Sequence, residues 1–241
     1  MNLEDYTSMA DLDRIFAALR NARIAILGDF CLDHYLFIDP DWKERSVETG
    51  LPVQGVFDQR YSPGGAGNVA ANAAALGLRA VHCLGCMGDD PYGVCLQNCL
   101  AKLGCETTGL VLQEQEYATR AYVKPMRGNE EASRFDHGVA NRISAESTKR
   151  LIAHLEKLLP ELDAVILNQQ VTAGVWSEAL IEAVNGLIAR FPKVVWLVDS
   201  RHHAEAFKGA VLKLNACETA RLCGRDVQPD EPVTDAETRA D

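Results

Sequence analysis

The sequence has no excess of basic charge: across 241 residues, 24 Lys and Arg face 34 Asp and Glu, a formal net charge of −10. Nucleic-acid binders carry a basic footprint, so this balance argues against that class and no nucleic-acid partner is expected. Also missing is any apolar run near the ~20 residues of a membrane span. The opening Met1-Asn2-Leu3-Glu4-Asp5-Tyr6 has no basic stretch followed by an apolar core, so it does not read as an export signal. No membrane partner and a cytoplasmic location are expected. Nor is the composition biased: 47% hydrophobic and 24% charged residues are ordinary for a globular protein. The length suits one main α/β domain.

What is present includes eight cysteines, at positions 31, 83, 86, 95, 99, 105, 217 and 223. In a chain of this length without an export signal they read as thiols rather than disulfides. Cys83-Leu84-Gly85-Cys86 has the spacing of half a zinc site. However, Cys83 falls in the apolar run Ala80 to Leu84, which reads as a strand, and Cys95 and Cys99 fit the inner face of a helix. Buried thiols are the stronger reading.

Arg23 to Asp29, Ala80 to Leu84, Asp163 to Asn168 and Val194 to Asp199 are short apolar runs ending in polar or turn residues, the pattern of strands buried on both faces of a parallel sheet. Between the last two, Trp176, Leu180, Ile181, Val184, Leu187 and Ile188 recur at helical spacing, and Ser144 stands as a cap before the stripe Leu151, Ile152, Leu155, Leu158 and Leu159. Strands alternating with helices call for an α/β, Rossmann-like parallel sheet with helices on both faces. Residues 35–62 and 117–136 break that rhythm with short strands of mixed polarity, read as a small β lid. Residues 226–241 are acidic with two prolines, an acidic tail or the start of a further helix.

The stretch Ser62-Pro63-Gly64-Gly65-Ala66-Gly67-Asn68-Val69-Ala70, continuing Ala-rich to Gly77, reads as a glycine turn feeding a helix that Gly77 ends. Taken alone it is a turn with Asn68 as N-cap. Its Gly65-x-Gly67-x-x-Ala70 also satisfies a dinucleotide pattern. The context opposes a dinucleotide-dependent oxidoreductase, because the preceding Phe57 to Tyr61 is too polar for a buried first strand.

Four patterns occur in order: Gly28-Asp29-x-x-Leu32-Asp33, Pro63 to Ala70, Gly85-x-x-Gly88-Asp89-Asp90-x-x-Gly93, and Leu212-Lys213-Leu214-Asn215-x-x-Glu218. Together they resemble the ribokinase-like (PfkB) carbohydrate kinases over about residues 23–225. The Gly28-to-Asp33 opening and Arg134-Phe135-Asp136 are most similar to the heptose-phosphate kinase branch, which serves ADP-heptose synthesis. The resemblance implies ATP-dependent phosphorylation of a sugar or sugar phosphate. Asp33, at the end of the first strand, would accept sugar hydroxyls, with Gly64, Gly65 and Asn68 as the adjoining wall. Lys124, Arg127 and Arg134 would hold a phosphate already on the sugar, or else form a solvated strand edge.

By the same resemblance, Asn215 and Glu218 would lie near ATP and act on Mg2+ through metal-bound water; the same spacing also serves a local helix cap. Asp199 ends a strand on the edge where such sheets bind ligands. His202 and His203 read as surface residues. Dimerisation through the lid is common in the family.

Two departures stand out. The family's C-terminal Gly-Ala-Gly-Asp, which supplies the anion hole and the base, does not follow Glu218. The domain is therefore expected to be incomplete, with no catalytic residue, and inactive alone, because phosphoryl transfer depends on positioning and charge stabilisation. A patch of exposed apolar surface is expected where the missing part would pack. The alternative is a non-catalytic sugar-binding or regulatory protein derived from such a kinase. Second, Asn168-Gln169-Gln170 through Gly174 stands where heptose-phosphate kinases more usually show Asp-Tyr and then Lys-Gly, leaving the substrate open.

Overall fold

The computed structural model describes residues 9–224; the acidic segment 226–241 lies outside the described residues. The main sheet has six parallel strands in the order β11-β10-β9-β1-β4-β5. These are β1 (Arg23–Gly28), β4 (Ala80–Gly88), β5 (Glu106–Gln113), β9 (Ala164–Gln169), β10 (Val195–Ser200) and β11 (Val211–Leu212). Each face of the sheet is covered. On one side Ala25, Leu27, Val165, Leu167 and Val198 pack with Leu151, Leu155, Leu180 and Val184 from α4 (Ala145–Leu158) and α5 (Glu178–Arg190). On the other, Ile24, Ile26, Val81 and Cys83 meet Ala70, Ala73, Leu96 and Leu100 from α2 (Ala66–Ala75) and α3 (Pro91–Lys102). Alternate residues of β1 thus serve opposite cores, as the two-residue strand period requires.

Two of the helices, α4 and α5, begin where side chains can satisfy their first N–H groups. Ser144 accepts from Ser147 N and Ser177 from Leu180 N. Gly77, at φ +75°, follows the end of α2. Two elements carried no usable sequence signal: α1 (Met9–Leu19) and the edge strand β5. The short edge strand β11 leaves Val211 60% exposed.

A second sheet forms the lid, in the order β3-β2-β6-β7, with β8 also pairing β6. Its strands are β2 (Phe30–Ile38), β3 (Val56–Gly65), β6 (Arg120–Arg127), β7 (Glu130–Glu131) and β8 (Phe135–His137). The lid therefore starts earlier than residue 35 and runs to Gly65. Its first strand leaves β1 with only Asp29 between them, and the Phe30 ring packs where a Gly85 side chain would stand. Asp33, expected at the end of the first strand, lies instead inside β2. Ala80 to Leu84 likewise extends as strand to Gly88, which brings Cys83 and Cys86 into β4 as buried residues. The last helix, α6, spans Ala216–Leu222.

Candidate active site

Asp29 joins the two sheets. It is 3% exposed, and Oδ2 accepts from Gln170 N at 2.8 Å and Val171 N at 3.1 Å, while Oδ1 accepts from Val175 N at 2.9 Å. Burial pushes its carboxyl pKa up, and the three N–H donors oppose that push. The carboxylate thereby fastens the β9–α5 loop to the base of the lid. Gly174 packs against it with no room for a side chain. Asp29 O also accepts from Ala66 N at 3.0 Å, fixing the start of α2. Gly65 precedes it at φ +55°, a conformation that favours glycine. Gly65, not Asn68, is the N-cap; Asn68 is exposed in the first turn.

The motif around Gly88 fixes the other lid strand. Asp90 caps α3 by accepting from Gly93 N at 2.8 Å, and its second oxygen accepts from Thr119 N at 2.7 Å. Thr119 Oγ1 in turn accepts from Gly88 N at 3.0 Å. Thr119 is fully buried, so β6 begins at a rigid point and the side chains that follow it are set in register.

Register places those side chains in rows across one face of the lid. Asp33 stands opposite Ser62 on β3 and Tyr122 on β6, and Tyr122 opposite Asp136 on β8. One row toward the main sheet are Gly64, Cys31 and Arg120; one row outward are Arg60, Tyr35 and Lys124. Residues paired in register share a face.

Asp33 is the centre of this surface. Its Oδ1 lies 2.8 Å from Lys124 Nζ, and the two side chains are 13% and 14% exposed. Lys124 Nζ also sits 4.9 Å from the centroid of the Tyr35 ring. Its pKa is raised: burial lowers it, but Asp33 and Tyr35 outweigh that. On the other side, Asp33 Oδ2 is 3.0 Å from where a Cβ on Gly64 would be, so a side chain at position 64 would crowd that oxygen.

Beside it, the Tyr122 ring carries Arg134 at 4.4 Å and Arg120 at 5.3 Å. Asp136 engages Arg134 through Nε at 2.6 Å and Nη2 at 3.0 Å, and lies 3.9 Å from Arg120. Two guanidiniums share the Asp136 carboxylate, and the Glu131 charge also acts on Arg134. Arg120 was not singled out from the sequence. Arg127 is not brought to this surface: it lies on the opposite face of β6 by strand alternation and lines a cleft with Trp42, Asp39 and Val53. Cys31 is 1% exposed, and burial with the nearby Asp29 charge pushes its thiol up to about 12.

Further along the C-terminal edge, Asn168 Nδ2 lies 3.4 Å from Asp199 Oδ2, and Lys213 Nζ 3.2 Å from Asp199 Oδ1. Asn168 Oδ1 is buried without a partner. Asn215 and Glu218 form a reciprocal capping box at the start of α6, each side chain accepting from the other's backbone N at 2.8 Å. One Glu218 oxygen lies outside those two bonds and could accept from a metal-bound water. Among the described residues, no group of three or more His, Cys, Asp or Glu could hold a metal ion directly. β11, which leads to Asn215, is three strands from β1, about 14 Å at ~4.8 Å per strand.

The sheet order, the helices on both faces and the lid at the strand ends define a doubly wound α/β ligand-binding domain. The profile of the pfkB family carbohydrate kinases matches residues 27–236. The chain belongs to that family. It is 31% identical over 229 residues to the Bifunctional protein HldE of Azorhizobium caulinodans, covering 94% of this chain and 46% of that protein. Among solved structures, phosphofructokinase-2 from Escherichia coli in complex with substrates and products superposes with a TM-score of 0.61 at 19% identity, covering 87% of this chain and 66% of that one. Arabidopsis thaliana ribokinase complexed with ribose and ATP gives 0.58 at 17%, covering 85% and 63%. The structural likenesses show the fold. The chain spans about half the length of the curated relatives it matches.

Proposed function

We propose that these residues form the sugar-binding part of an ATP-dependent kinase that transfers a phosphoryl group to a hydroxyl of a sugar phosphate, with a heptose 7-phosphate as the leading substrate. The observation that carries this reading is the Asp33 carboxylate, largely buried on the lid face with Oδ2 lying over the bare backbone of Gly64. A carboxylate accepts hydroxyl hydrogens on both oxygens, and an adjacent glycine lets a pyranose or furanose ring lie against backbone. Arg120 and Arg134 around Tyr122 supply guanidiniums suited to the sugar's own phosphate. The HldE relatives and the resemblance to heptose-phosphate kinases support a heptose.

When bound, Mg-ATP supplies the transferred group and the cation that offsets its charge. Asn215 and Glu218 would hold it through metal-bound water, with Lys213 and Asp199 alongside. No Gly-Ala-Gly-Asp follows Glu218 in these 241 residues, so we propose that alone they bind sugar without turnover. The same observation favours a second reading, a sugar-binding protein without kinase activity. We place the protein in the cytoplasm. The exposed Phe57 and Val56 on β3 support pairing of two lids in a homodimer.

Titration calorimetry tests the site. Asp33→Ala is expected to abolish binding of heptose 7-phosphate with an unchanged circular dichroism spectrum, and Arg134→Ala to weaken the phosphorylated heptose more than the free one. Unchanged affinity in Asp33→Ala would remove the sugar site. ADP release on adding the kinase segment of an HldE protein that carries the Gly-Ala-Gly-Asp motif separates the two readings, since the second gives none.

A further inference from the structure

Lys124 came out of the sequence as a candidate phosphate ligand, but its ammonium is already committed. It crosses diagonally from its register partner Tyr35 to reach Asp33 Oδ1 at 2.8 Å, and both side chains are about nine-tenths covered. An ion pair in such a position is a poor source of stability. Desolvating both charges offsets most of their attraction, and replacing a buried pair by apolar residues is often neutral or stabilising. The pair is also not placed to join distant parts of the fold, since β2 and β6 are already zipped over seven registered positions, Cys31 to Phe37 against Arg120 to Met126.

What the pair does change is the geometry of Asp33. With Oδ1 held from the β6 side, the carboxylate plane is fixed and Oδ2 is turned to the β3 side, over Gly64. An ammonium has three N–H donors. One goes to Asp33, the nitrogen stands 4.9 Å from the centroid of the Tyr35 ring, and donors remain for a ligand oxygen beside Oδ2.

Resting on the sugar-site reading above, we propose that Lys124 is the positioning residue of that site. It orients Asp33 to accept from one sugar hydroxyl and itself donates to the oxygen of the adjacent hydroxyl. The pocket thereby selects a pair of neighbouring hydroxyls and offers no place for an anion at this point. The negative group of the substrate is left to Arg120 and Arg134, whose guanidiniums carry five N–H donors each and keep some beyond their contacts with Asp136 and Gly138 O.

The test uses the full 241-residue chain, with heptose 7-phosphate and the unphosphorylated heptose as probes in calorimetry. Lys124→Met is expected to weaken both by tenfold or more and by the same factor, with inorganic phosphate binding unaffected. Lys124→Arg, which keeps the charge and the donors, is expected to recover at least half of that loss on a logarithmic scale. Thermal melts are expected to stay within a few degrees for both variants. Selective loss of the phosphorylated heptose would make Lys124 a phosphate ligand and overturn the proposal. Unchanged affinity with a lowered melting temperature would reduce the pair to a structural one. If the wild-type chain binds neither heptose, the sugar-site reading itself falls and the proposal with it, an outcome distinct from wild-type binding that Lys124→Met leaves intact.

Discussion

Asp29→Ala removes the carboxylate that accepts three backbone N–H groups, those of Gln170, Val171 and Val175. A methyl group cannot replace any of them, and the site is only 3% exposed, so water does not readily reach all three. Each buried donor left unsatisfied costs about 1–3 kcal/mol, giving roughly 3–9 kcal/mol in total. Relief of the carboxylate's own burial, which raises its pKa, returns part of this and places the expectation near the low end. Three kcal/mol corresponds to a fall in melting temperature of about 6–12 °C for a domain of this size. Asp29→Asn keeps one acceptor oxygen but sets an amide against an N–H, so an intermediate fall is expected. Differential scanning calorimetry reads the melt, and amide exchange reads residues 170–175. A melt within about 2 °C of the wild type, with those amides still protected, would refute the claim that Asp29 holds the loop.

Gly64→Ala places a methyl group 3.0 Å from Asp33 Oδ2 and 3.3 Å from Cγ. The expected result is a preserved fold with sugar affinity lowered about 10–100-fold, the loss of one hydrogen bond to a charged group at ~1.5–3 kcal/mol; unchanged affinity by calorimetry would contradict the placement of the ligand. Thiol labelling by a maleimide at pH 8 is expected to mark the exposed Cys223 first. Cys31, with its thiol pushed up to about 12 and 1% exposed, is expected to label only as fast as the protein opens, and prompt modification of Cys31 in mass spectrometry would show the lid base to be loose.

The main sheet was readable because its inner strands are mostly apolar runs and α3, α4 and α5 have side-chain-capped starts. β5 escaped notice because it is an edge strand with Glu106, Thr107 and Thr108 at its exposed beginning. In the lid, charge alone was a misleading guide. Lys124, Arg127 and Arg134 look equivalent in the sequence, but a strand turns alternate residues to opposite faces. Arg120, Tyr122 and Lys124 share the parity that faces Asp33, whereas Arg127 does not. Counting by two from Lys124 would have found Arg120. The ion pair between Lys124 and Asp33 depends on the parallel register of β2 against β6, strands some ninety residues apart in the chain, and no local pattern encodes it. The glycines of the Gly85 to Gly93 motif resemble a family signature, and their physical role is to let Phe30, Thr119 and Asp90 pack against bare backbone.

Hydrogen exchange with and without heptose 7-phosphate on the full chain tests the central claim most directly. The account predicts slowed exchange in residues 30–38, 62–68 and 120–127, the strands and turn that carry Asp33, Gly64 and Lys124, and no change in α4 or α5. Protection confined to other parts of the molecule, or none at saturating ligand, would contradict it.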